Sequence, residues 1–422
     1  LKDKIESDAV LRIAMITSEF PPKWGGVGNY SYFHGNILAQ KGHKVTVYTR
    51  EQNKIFKDHH KNLSIKYVKW LKLPLFFTTS MAKNAMKEIK SSEDDYDILQ
   101  VQSNMALLQK EHYNWLKIPI ISTLHGTWLG ERSTVQYKHL SLNLASINDL
   151  SIKWFAFLLD KYEDYAIENS HAVVIGARSE CKAVSQRGIK NRYDRVVRIQ
   201  HGVDTESFHP DKKSDDYKQR FNIPDEKKVI LHVGRLAARK GCAEVLISFK
   251  KVLKERSDVK LLIVGTGPLE KRLKKLAVKL NIEKDTIFTG TLPFNDIQML
   301  YASSDIFLMH SYWEGFGMTN QEALASGMPV ICTNVGGAPD IIKEGYNGYL
   351  VDVGDTDAMA KYSLKLLKDE DLFLQMRKNA RKSMVDGFKW HDMVDNYLKL
   401  YEQILEDPKN TKGLPRIGKK CF

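Results

Sequence analysis

Short apolar runs rich in valine, isoleucine and leucine recur along the chain, each closed by glycine, proline or a polar turn, with helical periodicity between them. The first covers 12–17 and ends in the turn-rich Pro21-Pro22-Lys23-Trp24-Gly25-Gly26. A helix is expected over 30–40, Gly42 stops it, and a second β-rich run covers 44–49. Strand, helix, strand predicts parallel pairing, since parallel neighbours need a long crossover. The alternation continues through 98–101, 119–123 and 172–175. After Gly202-Val203-Asp204 it breaks into the polar stretch 211–218, then restarts at 229–234 and repeats at 260–265, 286–288, 305–309 and 329–332. The boundary therefore falls within 205–228. The pattern predicts two doubly wound, Rossmann-like α/β domains, 1–205 and 206–389, followed by a strong helix near 390–405 and a basic tail, 409–422, that holds no acidic residue.

A length of 422 residues suits two domains. With 43% hydrophobic and 27% charged residues, the composition excludes a disordered, collagen-like or coiled-coil chain. No window approaches the roughly 20 apolar residues of a membrane-spanning helix. The opening residues 1–9 are polar and carry no apolar signal core, so a cytoplasmic location is expected. Four cysteines without a C-x-x-C pair read as thiols in a reducing compartment, with no assigned role. The 64 Lys and Arg against 51 Asp and Glu leave a net charge of +13, which calls for an anionic partner: nucleic acid, an acidic membrane surface or a phosphorylated substrate.

Ligands of open α/β sheets sit beyond the carboxyl ends of the strands. After the first strand comes Gly25-Gly26-Val27-Gly28, either an ordinary strand-to-helix turn or a loop whose backbone N–H groups approach an anion. Neither it nor Gly265-Thr266-Gly267-Pro268 follows the G-x-G-x-x-G dinucleotide pattern. After the first strand of the second domain, Gly234-Arg235 and Lys240-Gly241 offer a planar guanidinium and a mobile ammonium. These suit a diphosphate without a metal, or form a solvated basic loop. Glu314 and Glu322 flank a stretch in which Thr319 or Asn320 can cap a helix carrying Glu322 in its first turn. The N–H groups of Gly317, Met318 and Thr319 can receive phosphate oxygens, and Glu322 either accepts ribose hydroxyls or simply favours the helix N-terminus. His125 ends a strand of the first domain, as a core histidine or a cleft residue. Asp58-His59-His60 lacks a second cluster at ligand spacing and reads as loop.

These pieces together resemble the retaining nucleotide-sugar glycosyltransferases of family 4, which have the two-domain GT-B fold. The resemblance runs through 20–27, 41–45, Gly202-Val203-Asp204, Gly234-Arg235 with Lys240-Gly241, Glu314 with Glu322, and Val335-Gly336-Gly337. It implies two domains facing across a cleft, acceptor on the first and donor on the second, with the last helix, about 390–422, crossing back to the first domain. It also implies that Gly25 and Gly26 lie beside the donor diphosphate, that Arg235 and Lys240 bind it, and that Glu322 holds the ribose. His125 is then beside the transferred sugar and Glu314 near its hydroxyls, making His125, Arg235, Lys240 and Glu314 the catalytic set, with Gly234 and Gly265 in the donor loops. No cofactor and no divalent metal is implied. Gln200-His201 stands where Pro-Asn often precedes Gly-Val-Asp, and His310-Ser311 where Pro-Ser is common.

The implied reaction moves a hexose-type sugar from a UDP-, GDP- or ADP-sugar to a hydroxyl of a sugar, phosphosugar or lipid-linked acceptor, by same-face attack in which a leaving phosphate oxygen takes the acceptor proton. A nucleotide-sugar epimerase of the same fold is the alternative, and a basic nucleic-acid-binding protein is a rival from another class with no recognisable motif behind it, so no nucleic acid is expected. Lys83, Lys87 and Lys90 share one helical face opposite Ala82, Met86 and Ile89. That face either rests on anionic lipid, placing the protein peripherally on the inner membrane face, or is solvated while the helix packs on its sheet.

Overall fold

The computed structural model describes residues 9–21, 25–52, 56–72, 77–103, 108–126, 157–185, 195–214 and 216–407. Trp24, Trp128 and the basic tail 409–422 lie outside the described residues. The chain divides into two compact units, the first running to His201 and resuming at Trp390, the second containing Gly202–Lys389. Gly202 to Thr205 belong to the second unit because the Val203 N–H donates to the Phe388 carbonyl at 2.7 Å and Val203 bridges Lys389.

In the first unit β1 (Arg12–Thr17), β2 (Lys44–Arg50), β3 (Leu63–Val68), β4 (Ile98–Ser103), β5 (Ile120–Leu124), β6 (Ala172–Ile175) and β7 (Val196–Arg198) form one parallel sheet, ordered β3-β2-β1-β4-β5-β6-β7. In the second, β8 (Lys228–Val233), β9 (Val259–Val264), β10 (Thr286–Gly290), β11 (Ile306–Met309), β12 (Val330–Thr333) and β13 (Gly348–Val351) are ordered β10-β9-β8-β11-β12-β13. Both orders reverse direction beside the first strand, between β1 and β4 and between β8 and β11. That is the topological switch point where open α/β sheets bind ligands. Ile13 pairs with Val45 on one side and Ile98 on the other, and Ile230 with Leu261 and Ile306, so each central strand is hydrogen-bonded along both edges.

Strands buried on both faces explain the apolar runs. On one face of the second sheet, Ile230, Leu261, Ile263, Ile306, Leu308 and Ile331 pack against Val245, Leu246, Phe249 and Val252 of the helix Cys242–Glu255. In the first unit Ala14, Ile16, Leu99 and Val101 pack against Met81, Ala82, Ala85, Met86 and Ile89 of the helix Phe77–Ser91. Each such side chain contributes about 1.5–3 kcal/mol when fully buried. The exposed face of that helix carries Lys83, Lys87 and Lys90. Trp390–Glu406 belongs to the first unit, where Trp390 stacks on Phe33 of the helix Gly26–Gln40 with ring centroids 5.1 Å apart. No helix among the described residues is long and apolar enough to cross a membrane. Cys181, Cys242 and Cys332 are buried thiols outside any disulfide.

Candidate active site

The switch point of the second unit is a charged site. Beyond β8 the Gly234 N–H donates to Val264 O at 3.0 Å and the Gly265 N–H to Gly290 O at 2.8 Å, fastening the two glycine loops together. Gly265 has φ +125°, and a Cβ there would overlap the Gly234 carbonyl, so both the conformation and the space require glycine. Arg235 follows, exposed and without an ion pair among the described residues. Lys240 closes a short 3-10 turn, Ala238–Lys240, and its Nζ donates to Glu314 Oε1 at 2.5 Å. The same carboxylate oxygen accepts from Ser311 Oγ at 2.6 Å, and the Ser311 carbonyl accepts from Thr333 Oγ1 at 2.6 Å.

Burial alone would raise the Glu314 carboxyl, but the charges of Lys240 and Arg239 and the bonds from Lys240 and Ser311 outweigh it, so its pKa lies below the ordinary value. Glu314 therefore stays ionised and holds the Lys240 ammonium by one of its three donors, leaving two for an anion. This geometry makes Glu314 the group that orients Lys240.

The helix Met318–Ala325 starts beside this pair in sequence. Its N-cap is Gly317 at φ +89°, not Thr319 or Asn320, and no side chain caps it. Glycine takes this left-handed turn without a Cβ penalty, so the helix begins earlier than the capping residues suggest. As a result Glu322 sits in the second turn rather than the first. Its Oε2 accepts from Tyr301 OH at 3.0 Å, and burial pushes its carboxyl up to about 7 despite that bond. The first-turn backbone N–H groups retain the positive end of the helix.

The first unit's switch point carries the Glu19 carboxylate against Gly25 and, around β4 and β5, a set of neutral groups. The helix Gly26–Gln40 begins at Gly26 rather than Tyr30, with Gly25 extended as N-cap, no side-chain cap and no acidic residue in its first turn. The Asn29 N–H donates to the Gly25 carbonyl at 2.9 Å, which makes Gly26-Val27-Gly28 helical despite its loop-like composition. His125, just past β5, lies in edge-to-face contact with Tyr30 at 4.5 Å and with His201 at 5.3 Å. Its Nε2 meets Gln102 Oε1 at 2.8 Å. Burial pushes both His125 and His34 down to about 3 and His201 well below its usual value, so these imidazoles are neutral.

Comparison with known proteins assigns this arrangement. The family model "Glycosyltransferase Family 4" matches residues 24–207 and "Glycosyl transferases group 1" matches 213–383, together most of the chain. The chain belongs to the family 4-like glycosyltransferases. It is 28% identical to an N-acetyl-alpha-D-glucosaminyl L-malate synthase of Bacillus anthracis, over 93% of this chain and 97% of that protein. Its fold is shared with a sucrose-phosphate synthase from Thermosynechococcus elongatus (TM-score 0.75, 19% identity, 93% and 99% of the two chains). It is shared too with Anabaena HepE in complex with UDP and glucose (TM-score 0.72, 18% identity, 92% and 98%). The two parallel-sheet units are thus those of a GT-B glycosyltransferase.

In this glycosyltransferase the sequence groups Arg235 with Lys240 as cations for one diphosphate and Glu314 with Glu322 on one stretch. The structure adds contacts to these groups, an ion pair of Lys240 with Glu314 and a hydrogen bond from Tyr301 to Glu322. Ser311 and Tyr301 were missed, and a serine three residues before a buried glutamate was the available signal. In the first unit Gln100, Gln102, His34, Tyr397 and Tyr401 were also missed. Two glutamines two apart in an otherwise apolar strand point to one face and need partners there, which the sequence does show.

Proposed function

We propose that this glycosyltransferase transfers a hexose-type sugar from a nucleoside-diphosphate sugar to an acceptor hydroxyl with retention of configuration. The observation that carries the reading is the Lys240–Glu314–Ser311 cluster at the β8/β11 switch point, with Arg235, which has no ion pair among the described residues, in the same loop as Lys240. Arg235, Lys240 and the N–H groups of Gly317, Met318 and Thr319 take the diphosphate, and Glu322 accepts from the ribose. Gly234 and Gly265 let the backbone approach. Glu314 orients Lys240 and meets sugar hydroxyls. In the first unit the reading takes Gly25 and Gly26 as backbone for an anion and His125 as the residue that meets a transferred sugar.

Charge builds on the diphosphate as the glycosidic bond breaks, and cations fixed before the reaction stabilise it without reorganising. The reading therefore assigns that task to Arg235 and Lys240 rather than to a divalent metal. The acceptor hydroxyl attacks from the face the diphosphate leaves, and a departing phosphate oxygen takes its proton. HepE, of the same fold, is a complex with UDP and glucose, which supports a donor of this kind. A thermal-shift screen of UDP, GDP and ADP should single out one base. Turnover of the matching sugar donor, followed by NMR of the anomeric proton, should show the donor's configuration kept, with no loss in EDTA. Inversion or chelator-dependent loss would overturn the respective part.

The exposed Lys83, Lys87 and Lys90 favour a second element of the reading, a peripheral seat on anionic lipid that presents a lipid-linked acceptor. Lys90 lies over the half-exposed Trp115 ring at 4.4 Å, a cation–aromatic pair suited to an interface. Co-sedimentation with phosphatidylserine vesicles at low salt, lost at high salt, is expected. Equal binding to neutral vesicles would contradict it.

A further inference from the structure

Helices Gly26–Gln40 and Trp390–Glu406 and strands β4 and β5 enclose a continuous chain of polar side chains, all buried: His125, Gln102, His34, Tyr401, Gln100 and Thr123. The links are His125 Nε2 to Gln102 Oε1 at 2.8 Å and Gln102 Nε2 to His34 Nδ1 at 3.0 Å. His34 Nε2 then reaches Tyr401 OH at 3.3 Å, Tyr401 OH reaches Gln100 Oε1 at 2.9 Å, and Gln100 Nε2 reaches Thr123 Oγ1 at 2.9 Å. Each amide and imidazole donates at one end and accepts at the other, so fixing one direction fixes all.

One backbone group sets that direction. Gln100 Nε2 lies 3.5 Å from the Val101 carbonyl, a long contact, but an amide oxygen in its place would face a second acceptor. With Gln100 Nε2 there, Gln100 Oε1 faces Tyr401, whose hydroxyl must donate to it. Tyr401 then accepts from a proton on His34 Nε2, His34 Nδ1 accepts from Gln102 Nε2, and Gln102 Oε1 accepts from a proton on His125 Nε2. We propose that Gln102 is a positioning residue for His125, holding it in the tautomer protonated on Nε2 through a hydrogen-bond relay directed by Gln100, Tyr401 and His34. This rests on the reading that His125 meets the transferred sugar. In that tautomer the Nδ1 of His125 carries a lone pair and accepts rather than donates. The C-terminal helix, through Tyr401, becomes part of the positioning apparatus of a residue on β5's end.

The test is histidine-selective ¹⁵N labelling of the full chain and long-range proton–nitrogen correlation, with His125 assigned by the signals lost in His125→Asn. The native protein should show His125 protonated on Nε2 and bare on Nδ1. Gln102→Leu should give mixed tautomers and lower kcat roughly 10- to 100-fold with donor KM little changed. Gln102→Glu, which still accepts from Nε2 but no longer donates to His34, should restore the His125 tautomer and most of kcat while moving the His34 proton to Nδ1. Tyr401→Phe should perturb the His34 tautomer as well. A native His125 protonated on Nδ1, or a Gln102→Leu protein with unchanged tautomer and kcat, would overturn the proposal. The tautomer measurement needs no substrate, so it decides the relay even where no nucleotide sugar is turned over and the functional reading itself fails.

Discussion

The two switch points share one strand order and are furnished differently. Around β1 and β4 stand the Glu19 carboxylate and a buried set of histidines, glutamines, tyrosines and threonines, neutral and hydrogen-bonded to one another. Around β8 and β11 stand ions: a lysine held by an ionised glutamate, and an arginine with no ion pair among the described residues. Topology therefore supplies the address of a site while the side chains decide its chemistry. A hydrogen-bonded network orders groups without attracting charge, whereas an ionic site can attract it.

Substitutions can break this contrast, and the largest effect should come from Lys240→Ala. On the proposed reading it removes a cation from the diphosphate, and it takes from the buried Glu314 its ion-pair partner, leaving the bond from Ser311. Turnover should fall roughly 10²- to 10³-fold, and denaturant unfolding should show about 3–5 kcal/mol of lost stability. Lys240→Arg should recover most of the stability. A smaller effect is expected from Gly265→Ala, whose Cβ would meet the Gly234 carbonyl in a left-handed backbone. About 1–3 kcal/mol should be lost, with Kd for nucleoside diphosphate weakened in parallel. In the neutral site, Tyr397→Phe removes the hydrogen-bond partner of the buried Tyr30 hydroxyl and one of the two partners of Thr123, which keeps Gln100, at about 1–3 kcal/mol, with diphosphate affinity unchanged.

The smallest effect is one of pH, and its sign differs between the two units. Glu322, raised to about 7 from an ordinary 4.5, takes up its proton more readily folded than unfolded. Its contribution is complete below 4.5 and lost as pH rises through 7. His34 and His125, lowered to about 3 from 6.5, act the other way: their contribution is complete above 6.5 and lost as pH falls toward 3. Melting temperatures of Glu322→Gln should therefore decline less than those of the native protein between pH 5 and 8. A parallel decline would remove Glu322 as the cause.

Much of this architecture is written locally. Ten of the thirteen described strands follow short β-rich runs, whereas β3, β7 and β13, each at a sheet edge, carry no such run, and the loops bearing Arg235, Lys240 and Glu314 follow β8 and β11 directly in the chain. Helix starts were less legible: Gly26-Val27-Gly28 and Gly317 look like loop because glycine disfavours helix, yet each opens one. Least legible was the neutral network. Tyr401 and Gln100 are 301 positions apart and Tyr397 and Thr123 are 274 apart, and no periodicity links residues that only the closed fold brings together. The pairing of Lys240 with Glu314, 74 positions apart, was hidden for the same reason.

The central claim is that the β8/β11 switch point is a diphosphate site, and calorimetric titration with the preferred nucleoside diphosphate tests it most directly. The native protein should bind, and Arg235→Ala should bind roughly 10- to 100-fold more weakly, while the corresponding nucleoside without phosphates loses nothing. Equal diphosphate affinity in native and Arg235→Ala proteins would contradict the assignment.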